Sequence, residues 1–170
     1  KHTLQIGEFY FRCCIGKNGV TRRKKEGDYK TPLGTFEIEK LFFRKDRIKK
    51  PKTSLETVEI KQSMGWCDDV SYPKEYNRLI KINNKIKHEK LKRNDSKYDL
   101  LIPISYNRKN PKVGLGSCIF IHLTKNFKPT AGCIALEKKD FVQDPQLFTL
   151  SFPEDTTGVV DRIDVLNTKH

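Results

Sequence analysis

One cysteine and one histidine have the residue types and the spacing that nucleophilic catalysis requires. His122 belongs to a β-rich run at 118–123, and Cys133 follows eleven residues later, after a loop that contains a proline. A free thiol is only weakly ionised at neutral pH, so a nucleophilic cysteine needs a base beside it. The spacing is too long for a helical pair but suits side chains that face each other on two adjacent strands. The pattern therefore predicts Cys133 as a nucleophile and His122 as its base.

The residues before Cys133 add a candidate oxyanion site. Gly132 lets the backbone approach a substrate carbonyl closely, and the amides of Ala131 and Gly132 are expected to help hold a negatively charged oxygen. On residue types alone a structural alternative stays open. A cysteine between glycine and isoleucine also suits a buried core position, and a histidine in an apolar strand also suits a hydrogen-bonded core position.

The same segment resembles the active-site signature of the L,D-transpeptidase catalytic domain of the YkuD type. In that signature a histidine precedes a Ser/Thr-x-Gly-Cys element on a neighbouring strand, and here His122 precedes Thr130-Ala131-Gly132-Cys133. Further blocks of the chain are similar to stretches of the same family, and they follow in order over most of its length. These blocks are residues 11–20, 27–36, 64–69, 76–79, 98–106 and 114–117.

Two positions depart from the commoner form of the signature. That form has histidine where this chain has Ala131, and often arginine where it has Ala135. A subgroup that shares the Trp-Cys-Asp-Asp block at 66–69 carries Thr-Ala-Gly-Cys, as this chain does. The resemblance therefore implies that the nucleophile and the base are retained, whereas the groups that shape the substrate pockets differ.

The resemblance implies a peptidoglycan L,D-transpeptidase that needs no metal ion and no organic cofactor. Cys133 would attack the amide between a diaminopimelate-type third residue and the terminal D-alanine of a tetrapeptide stem, and His122 would take its proton. D-alanine would leave, and an amine of a second stem would accept the acyl group. The expected partners are peptidoglycan stem peptides, and the expected location is the periplasm or cell envelope of a bacterium.

Two other functions stay open. If water resolved the acyl-enzyme, the same site would make an L,D-carboxypeptidase. A non-catalytic module is the alternative from another class: its basic surface would hold an anionic envelope polymer or nucleic acid, and Cys133 would merely be packed. Binding by such a module would fall steeply with salt.

Four further residues are predicted to bind the substrate. They are Thr130, Trp66, Asn77 and Arg78, and the last three belong to a long loop predicted for 66–78. Long loops in compact domains often carry functional residues. The planar guanidinium of Arg78 suits a substrate carboxylate, and a surface ion pair is its open alternative.

Composition and charge narrow the class of protein. The 170 residues, of 19.8 kDa, fit one domain over 1–170. No apolar run of about 18 residues predicts a membrane span. The net charge of +13 attracts polyanions. The basic groups of the sequence, at 22–25, 44–52 and 81–93, nevertheless lack the interleaved aromatic residues of RNA-recognition strands. We therefore predict that these groups are solvated lysine-rich faces and that the protein has no specific nucleic-acid partner.

The five cysteines do not form an even disulfide framework. At least one thiol must stay unpaired in the monomer, and Cys133 is the predicted one. Adjacent Cys13 and Cys14 point to opposite faces of a strand, and the spacing does not support a bridge between Cys67 and Cys118. No Cys-x-x-Cys or His-x-x-x-His pair predicts a zinc site.

The hydrophobic pattern predicts many short strands and few helices. Strands are expected in a hairpin over 3–15 and then at 35–43, 56–62, 98–106, 118–123, 148–152 and 159–166. Helices are expected at 82–92 and 137–142, and Pro103 predicts that 98–106 is an edge strand or carries a bulge. The predicted fold is mainly β, a sandwich or a partly closed barrel with one or two short helices. The resemblance implies the β-sandwich of L,D-transpeptidases.

Overall fold

The structure is a computed structural model, and it describes residues 2–6, 9–38, 40–142 and 162–166. Within these residues the chain forms fourteen strands and one helix, α1, which spans Lys138–Val142. The strands are β1 His2–Ile6, β2 Phe9–Cys13, β3 Val20–Thr21, β4 Thr31–Pro32, β5 Gly34–Glu37, β6 Lys40–Phe43, β7 Glu56–Glu59, β8 Met64–Cys67, β9 Leu79–Lys81, β10 His88–Lys90, β11 Leu100–Pro103, β12 Phe120–Leu123, β13 Ile134–Leu136 and β14 Arg162–Leu166.

The strands form two larger and two smaller sheets in the described part of the chain. The largest sheet has the order β13-β12-β11-β6-β7, and the second has the order β2-β1-β14-β5. A three-stranded sheet has the order β10-β8-β9, and β3 pairs with β4. Reciprocal backbone hydrogen bonds of 2.8 and 2.9 Å between Cys14 and Ala135 join the two larger sheets. The mainly β class that the sequence predicts is confirmed.

The two larger sheets pack around an aliphatic core. Successive side chains of a strand lie on opposite faces of its sheet, so alternate residues of the five-stranded sheet enter this core. Leu4 of β1 lies there with Ile121 and Leu123 of β12. The other buried members are Ile6, Cys13, Ile15, Ile38, Leu41, Phe43, Leu100, Ile102, Ile104, Ile119, Ile134, Leu136 and Phe141. This packing is that of a β-sandwich, as predicted.

The opposite face of the five-stranded sheet is also buried, beneath the segment 60–98. A second cluster fills this face with Phe42, Ile60, Trp66, Leu91, Tyr98, Leu101, Phe120 and Cys133. The rings of Trp66 and Tyr98 meet that of Phe120 edge to face, with centroids 5.2 and 6.0 Å away. Such pairs add to the stability that area burial supplies. Because both faces of the sheet are covered, all four residues of β12 are buried.

The side-chain amide of Asn77 connects the covering segment, residues 60–98, with the loops beside it. Its Oδ1 accepts hydrogen bonds from Trp66 Nε1 at 3.0 Å and from the backbone amide of Cys118 at 3.1 Å. Its Nδ2 donates to the backbone carbonyls of Tyr106 at 3.1 Å and Asn107 at 2.6 Å. The buried amide therefore uses its full hydrogen-bonding capacity within the fold. Asn77 also has a φ of 55°, which asparagine tolerates better than most residues.

Two predicted elements differ from the structure. The predicted helix over 82–92 is wrong, because this segment turns at Asn83, whose Oδ1 accepts the amide of Lys85 at 3.0 Å, and returns as β10. Such local bonding by asparagine competes with helical hydrogen bonds. Of the two alternatives predicted from Pro103, the edge strand is wrong, since β11 lies between β12 and β6 and Pro103 is its last residue, and the bulge stays a prediction.

The other elements agree in existence and differ in extent. The hairpin is formed by β1 and β2, and the second predicted helix is confirmed as α1. The run 35–43 is divided between β5 and β6, which belong to different sheets, and Trp66 and Cys67 belong to β8 rather than to a loop. The strand predicted at 159–166 includes β14, whereas 148–152 lies outside the described residues. No helix among the described residues is long and apolar enough to cross a membrane.

Replacing Asn77 by alanine is expected to lower the free energy of unfolding by about 3 kcal/mol, because it leaves buried donors of Trp66 and Cys118 without acceptors and puts alanine at positive φ. Urea denaturation followed by the fluorescence of the single tryptophan would measure this loss. Asn84→Ala, at an exposed position, is the matched control. Equal unfolding free energies for the two variants would contradict the structural role of Asn77.

Candidate functional site

Two neighbouring strands bring Cys133 and His122 to one cavity. β12 and β13 pair in parallel, with His122 opposite Ala135, and Cys133 lies two residues before Ala135. Side chains two residues apart share a face of a sheet, so Cys133 points to the same side as His122, away from the sandwich core. Both side chains line a cavity of about 220 Å³ between this sheet and the segment that covers it.

His122 is held in the tautomer that a general base needs. Its Nδ1 lies 2.9 Å from the backbone carbonyl of Leu123, and because a carbonyl only accepts, Nδ1 carries the proton. Nε2 is then the nitrogen with a free lone pair. Burial lowers the pKa of His122 to about 4, and the nearby cations Lys97 and Arg93 act in the same direction. The ring is therefore neutral at pH 7.

The Cys133 thiol is also neutral at pH 7. Burial raises its pKa to about 12, although the amide of Phe120 opposes this shift. Its Sγ donates a hydrogen bond to the backbone carbonyl of Cys118 at 3.1 Å. Cys118 presents that carbonyl from a left-handed conformation, with a φ of 53°. The thiol and the imidazole are thus both uncharged and line the same cavity, with the thiol proton directed at the Cys118 carbonyl, and a thiolate requires transfer of that proton.

Two threonines clamp the backbone around the nucleophile. Thr130 Oγ1 accepts the amide of Gly132 at 3.1 Å and donates to the carbonyl of Cys133 at 2.6 Å. Thr31, which is fully buried, donates from Oγ1 to the carbonyl of Gly132 at 2.9 Å. Gly132 has a φ of 143°, and a Cβ there would lie 3.0 Å from the carbonyl oxygen of Lys30, so this position requires glycine. Because its amide is bonded to Thr130, Gly132 does not present that amide to a substrate.

A buried ion pair lies behind the clamped backbone. Lys24 Nζ is 2.5 Å from Asp28 Oδ1, and the lysine side chain is almost entirely inaccessible. The Cε atom of Lys24 would lie 3.8 Å from a Cβ atom placed at Gly132. The ammonium group favours the thiolate form of Cys133 and so acts against the burial that raises the pKa of the thiol.

Tyr98 and Arg93 form the wall of the cavity beside the base. The ring centroid of Tyr98 lies 5.3 Å from that of His122, and the guanidinium carbon of Arg93 lies 4.9 Å from the Tyr98 centroid. Arg93 is paired with Glu89 and with Asp95, each at 2.8 Å. These contacts hold the aromatic wall against the imidazole and leave the charge of Arg93 compensated.

Four of the predicted site residues line this cavity, namely Cys133, His122, Thr130 and Ala131, and Gly132 lies directly beside them in the chain. The other predicted residues lie elsewhere. Trp66 is 1% exposed in the aromatic cluster beneath the site, and Asn77 uses its amide within the fold.

Arg78 is exposed and lies outside the residues that line the cavity. Trp66 and Asn77 thus support the fold and Arg78 lies on the surface, so none of the three lines the cavity as predicted.

The polar wall of the cavity is what sequence reasoning missed. Its members are Glu89, Arg93, Lys97, Tyr98, Lys125 and Lys128. In the sequence, Arg93 falls in a basic group interpreted as a solvated face, and Tyr98 opens a predicted strand. No local spacing signals that both side chains approach His122, because that contact depends on how the segment 60–98 folds over the sheet.

Two further cavities differ from this one. One, of about 680 Å³, is lined by Phe43, Thr57 and a mostly charged group at 45–50, with no thiol or imidazole. Another, of about 380 Å³, does have thiols and an imidazole in its lining, those of Cys13, Cys14 and His2. Among the described residues no group of three His, Cys, Asp or Glu side chains is placed to hold a metal ion. A thiol and an imidazole therefore do not select one cavity by themselves, and the Thr-Ala-Gly-Cys element favours the cavity of Cys133 and His122.

Comparison with known proteins agrees with this geometry. A family model described as the L,D-transpeptidase catalytic domain, YkuD, matches residues 4–143. Curated proteins and solved structures gave no match. The matched range contains β2 to β13 and α1, and with them the five-stranded sheet, the covering segment and both His122 and Cys133, whereas β14 lies outside it. The chain therefore belongs to the YkuD family of L,D-transpeptidase catalytic domains, whose enzymes use a cysteine to modify peptidoglycan.

Proposed function

We propose that residues 1–170 form one catalytic domain that acts as a peptidoglycan L,D-transpeptidase. The observation that carries this proposal is the cavity shared by Cys133 and His122, in which Nδ1 of the histidine is committed to a backbone carbonyl and Nε2 is left to accept a proton. Acyl transfer by a thiol needs such a base. Family membership supports peptidoglycan stem peptides as the substrate class.

In the first half-reaction the proton of Cys133 passes to Nε2 of His122, and the sulfur attacks the carbonyl carbon of the diaminopimelate-type third residue. The amides of Ala131 and Cys133 are the proposed donors to the oxyanion, because that of Gly132 is bonded to Thr130. Collapse of the intermediate breaks the C–N bond to D-alanine, whose nitrogen takes the proton from His122. The products are free D-alanine and a thioester on Cys133.

In the second half-reaction an amine of another stem attacks the thioester carbonyl. His122 takes a proton from that amine, the C–S bond breaks, and the thiolate recovers the proton from His122. Cys133 is 9% exposed, so either acceptor has to enter the cavity to reach the thioester. If water were the acceptor, the same steps would make an L,D-carboxypeptidase.

Peptidoglycan as substrate places the proposed activity in the periplasm or cell envelope. The basic surface is proposed to associate with anionic envelope polymers, since the net charge of +13 attracts polyanions. The non-catalytic alternative expects a buried, unreactive Cys133, and the burial of the thiol fits that alternative as well. Chemistry on defined stems is therefore the decisive test.

Incubation of a disaccharide-tetrapeptide with the protein is expected to give a cross-linked dimer that has lost one D-alanine, because an amine of one stem replaces D-alanine on another. Mass spectrometry over time would detect this product, and Cys133→Ala should abolish it. Tripeptide and free D-alanine without dimer would instead establish the carboxypeptidase. If neither product formed and Cys133 also resisted thiol reagents, the enzyme proposal would fail and the binding module would replace it.

The pKa values predict how Cys133 reacts with iodoacetamide. Because the thiol pKa is about 12 and that of His122 is about 4, the dyad is uncharged from mildly acidic to mildly alkaline pH. The labelling rate is therefore expected to rise about tenfold per pH unit over roughly pH 6 to 9, as the thiolate fraction rises. Peptide mass mapping would follow Cys133 separately from the other cysteines, and urea-unfolded protein is the control. A rate that is flat across neutral pH would reveal a preformed thiolate and contradict the uncharged pair.

Thr130→Val is expected to lower kcat about 10- to 100-fold, because valine keeps the shape of threonine but loses both hydrogen bonds that set the backbone at Gly132 and Cys133. Thr130→Ser retains the hydroxyl and is the matched control, so it should keep most of the activity. Steady-state kinetics on the tetrapeptide would separate kcat from KM. A valine variant with the kcat of the wild type would show that the clamp is dispensable.

A further inference from the structure

Three lysines at the catalytic cavity have no carboxylate partner in the described part of the chain. Lys97, Lys125 and Lys128 line the cavity together with Arg93 and Glu89. Arg93 is compensated by its two carboxylate partners, whereas the three lysines form no ion pair with a described residue. Some lysines elsewhere are paired, such as Lys24 with Asp28 and Lys87 with Asp68, and others are not, so the location at the cavity is what distinguishes these three.

The fold fixes Lys97 close to the base. Its backbone carbonyl accepts the amide of Leu123 at 2.9 Å, which ties it to the residue that follows His122. Its ammonium group is near enough to the imidazole to help lower the pKa of His122. Lys97 is only partly exposed, so it lies in the wall of the cavity rather than on the open surface.

The other two lysines lie on the loop between β12 and β13, which is anchored at its middle and at its end. The guanidinium of Arg12 lies 3.9 Å from the ring centroid of Phe127 in this loop. At the end of the loop, the amide of Thr130 donates to the carbonyl of Ile15, and the amide of Lys17 donates to that of Thr130, each at 2.9 Å. The loop therefore holds its two lysines beside the nucleophile.

Cations in a concave site raise the local positive potential more than the same cations on an open surface. The charge of Lys97 is partly offset by Asp95, with which it interacts electrostatically. Low-dielectric walls, here the aromatic cluster and the buried strands, strengthen the attraction to an anion. Lys97 and the loop lysines belong to two segments, 97–98 and 124–131, that the hydrogen bond between Lys97 and Leu123 holds next to each other, so their cations lie in one part of the cavity lining. Such a site suits a ligand with more than one carboxylate.

We propose that Lys97, Lys125 and Lys128 select acyl-donor stems with free carboxylates, and that stems amidated at those groups are poor substrates. This inference rests on the proposed transpeptidase function. A tetrapeptide stem has two such groups near the scissile bond. One is the C-terminal carboxylate of D-alanine, and the other is the side-chain carboxylate of the diaminopimelate-type residue.

Carboxylate binding would also affect the base. Burial lowers the pKa of His122, and Lys97 and Arg93 lower it further. An anionic group bound beside these cations offsets part of their field, so the imidazole accepts a proton more readily when an unamidated stem is bound. The three lysines thus act as specificity-determining residues, and Cys133 and His122 perform the chemistry.

The test compares three synthetic tetrapeptide stems: the free acid, the D-alaninamide, and the stem amidated at the diaminopimelate-type side chain. Each is assayed by mass spectrometry for release of its C-terminal residue, D-alanine from two of the stems and D-alaninamide from the other, with the wild type and with a variant that combines Lys97→Gln, Lys125→Gln and Lys128→Gln. The wild type is expected to prefer the free acid about tenfold or more in kcat/KM. The triple variant should lose about tenfold or more on the free acid, mainly through KM, and only about two- to threefold on the amidated stems.

A second triple variant is the matched control. Lys61→Gln, Lys74→Gln and Lys109→Gln together remove the same charge from exposed positions that do not line the cavity. This variant should retain the preference of the wild type for the free acid. Three results would overturn the inference while leaving transpeptidation intact. The wild type could turn over all three stems equally, the cavity variant could lose the same factor on every stem, or the control variant could have the same effect as the cavity variant. Absence of Cys133-dependent turnover on every stem would refute the proposed function, and this inference with it.

Discussion

The five-stranded sheet is buried on both faces, and the placement of the catalytic pair follows from this constraint. β12 contributes Ile121 and Leu123 to the sandwich core and turns Phe120 and His122 to the other side. A slip of one residue in its pairing would move His122 into the aliphatic core and place Ile121 at the cavity. In this chain, burial of Ile121 and Leu123 in the core and exposure of His122 to the cavity therefore depend on the same strand register.

Burial of that second face sets the electrostatics of the site. The covering segment removes water from Cys133 and His122, which disfavours the charged form of each and keeps both neutral. Groups that favour the thiolate are nevertheless present, namely the amide of Phe120 and the ammonium of Lys24. Both groups are thus uncharged at neutral pH in the described structure, and a thiolate at Cys133 requires that its proton be transferred.

The sequence predicts the parts of the site that depend on local pattern and fails on those that depend on how remote segments meet. Cys133 and His122 are recognisable because a nucleophile, a base and a glycine occur at a spacing that suits adjacent strands, and the strand at 118–123 is confirmed as β12. Local pattern misassigned 82–92, where apolar spacing resembled a helix but asparagine turns and pairing with β8 decided the outcome.

Trp66 and Asn77 were predicted to bind the substrate because they belong to a long loop predicted for 66–78, and long loops in compact domains often carry functional residues. In the structure each satisfies the other, and the burial that results could be read only from the fold.

The junction between the two larger sheets connects chemistry with substrate recognition. Cys14, just past the end of β2, pairs with Ala135, and the segment that follows it bonds to Thr130 through Ile15 and Lys17. At Gly16 a Cβ would lie 2.3 Å from the carbonyl oxygen of Tyr29, so the two backbones approach as closely as glycine allows.

The loop that carries the cavity lysines and Thr130 is therefore fixed by residues more than a hundred positions earlier in the chain. Since Thr130 in turn sets the backbone of Cys133, a shift of this junction would move the nucleophile and the cationic wall together. The position of Cys133 relative to the lysines of the cavity wall therefore depends on the contact between the two larger sheets.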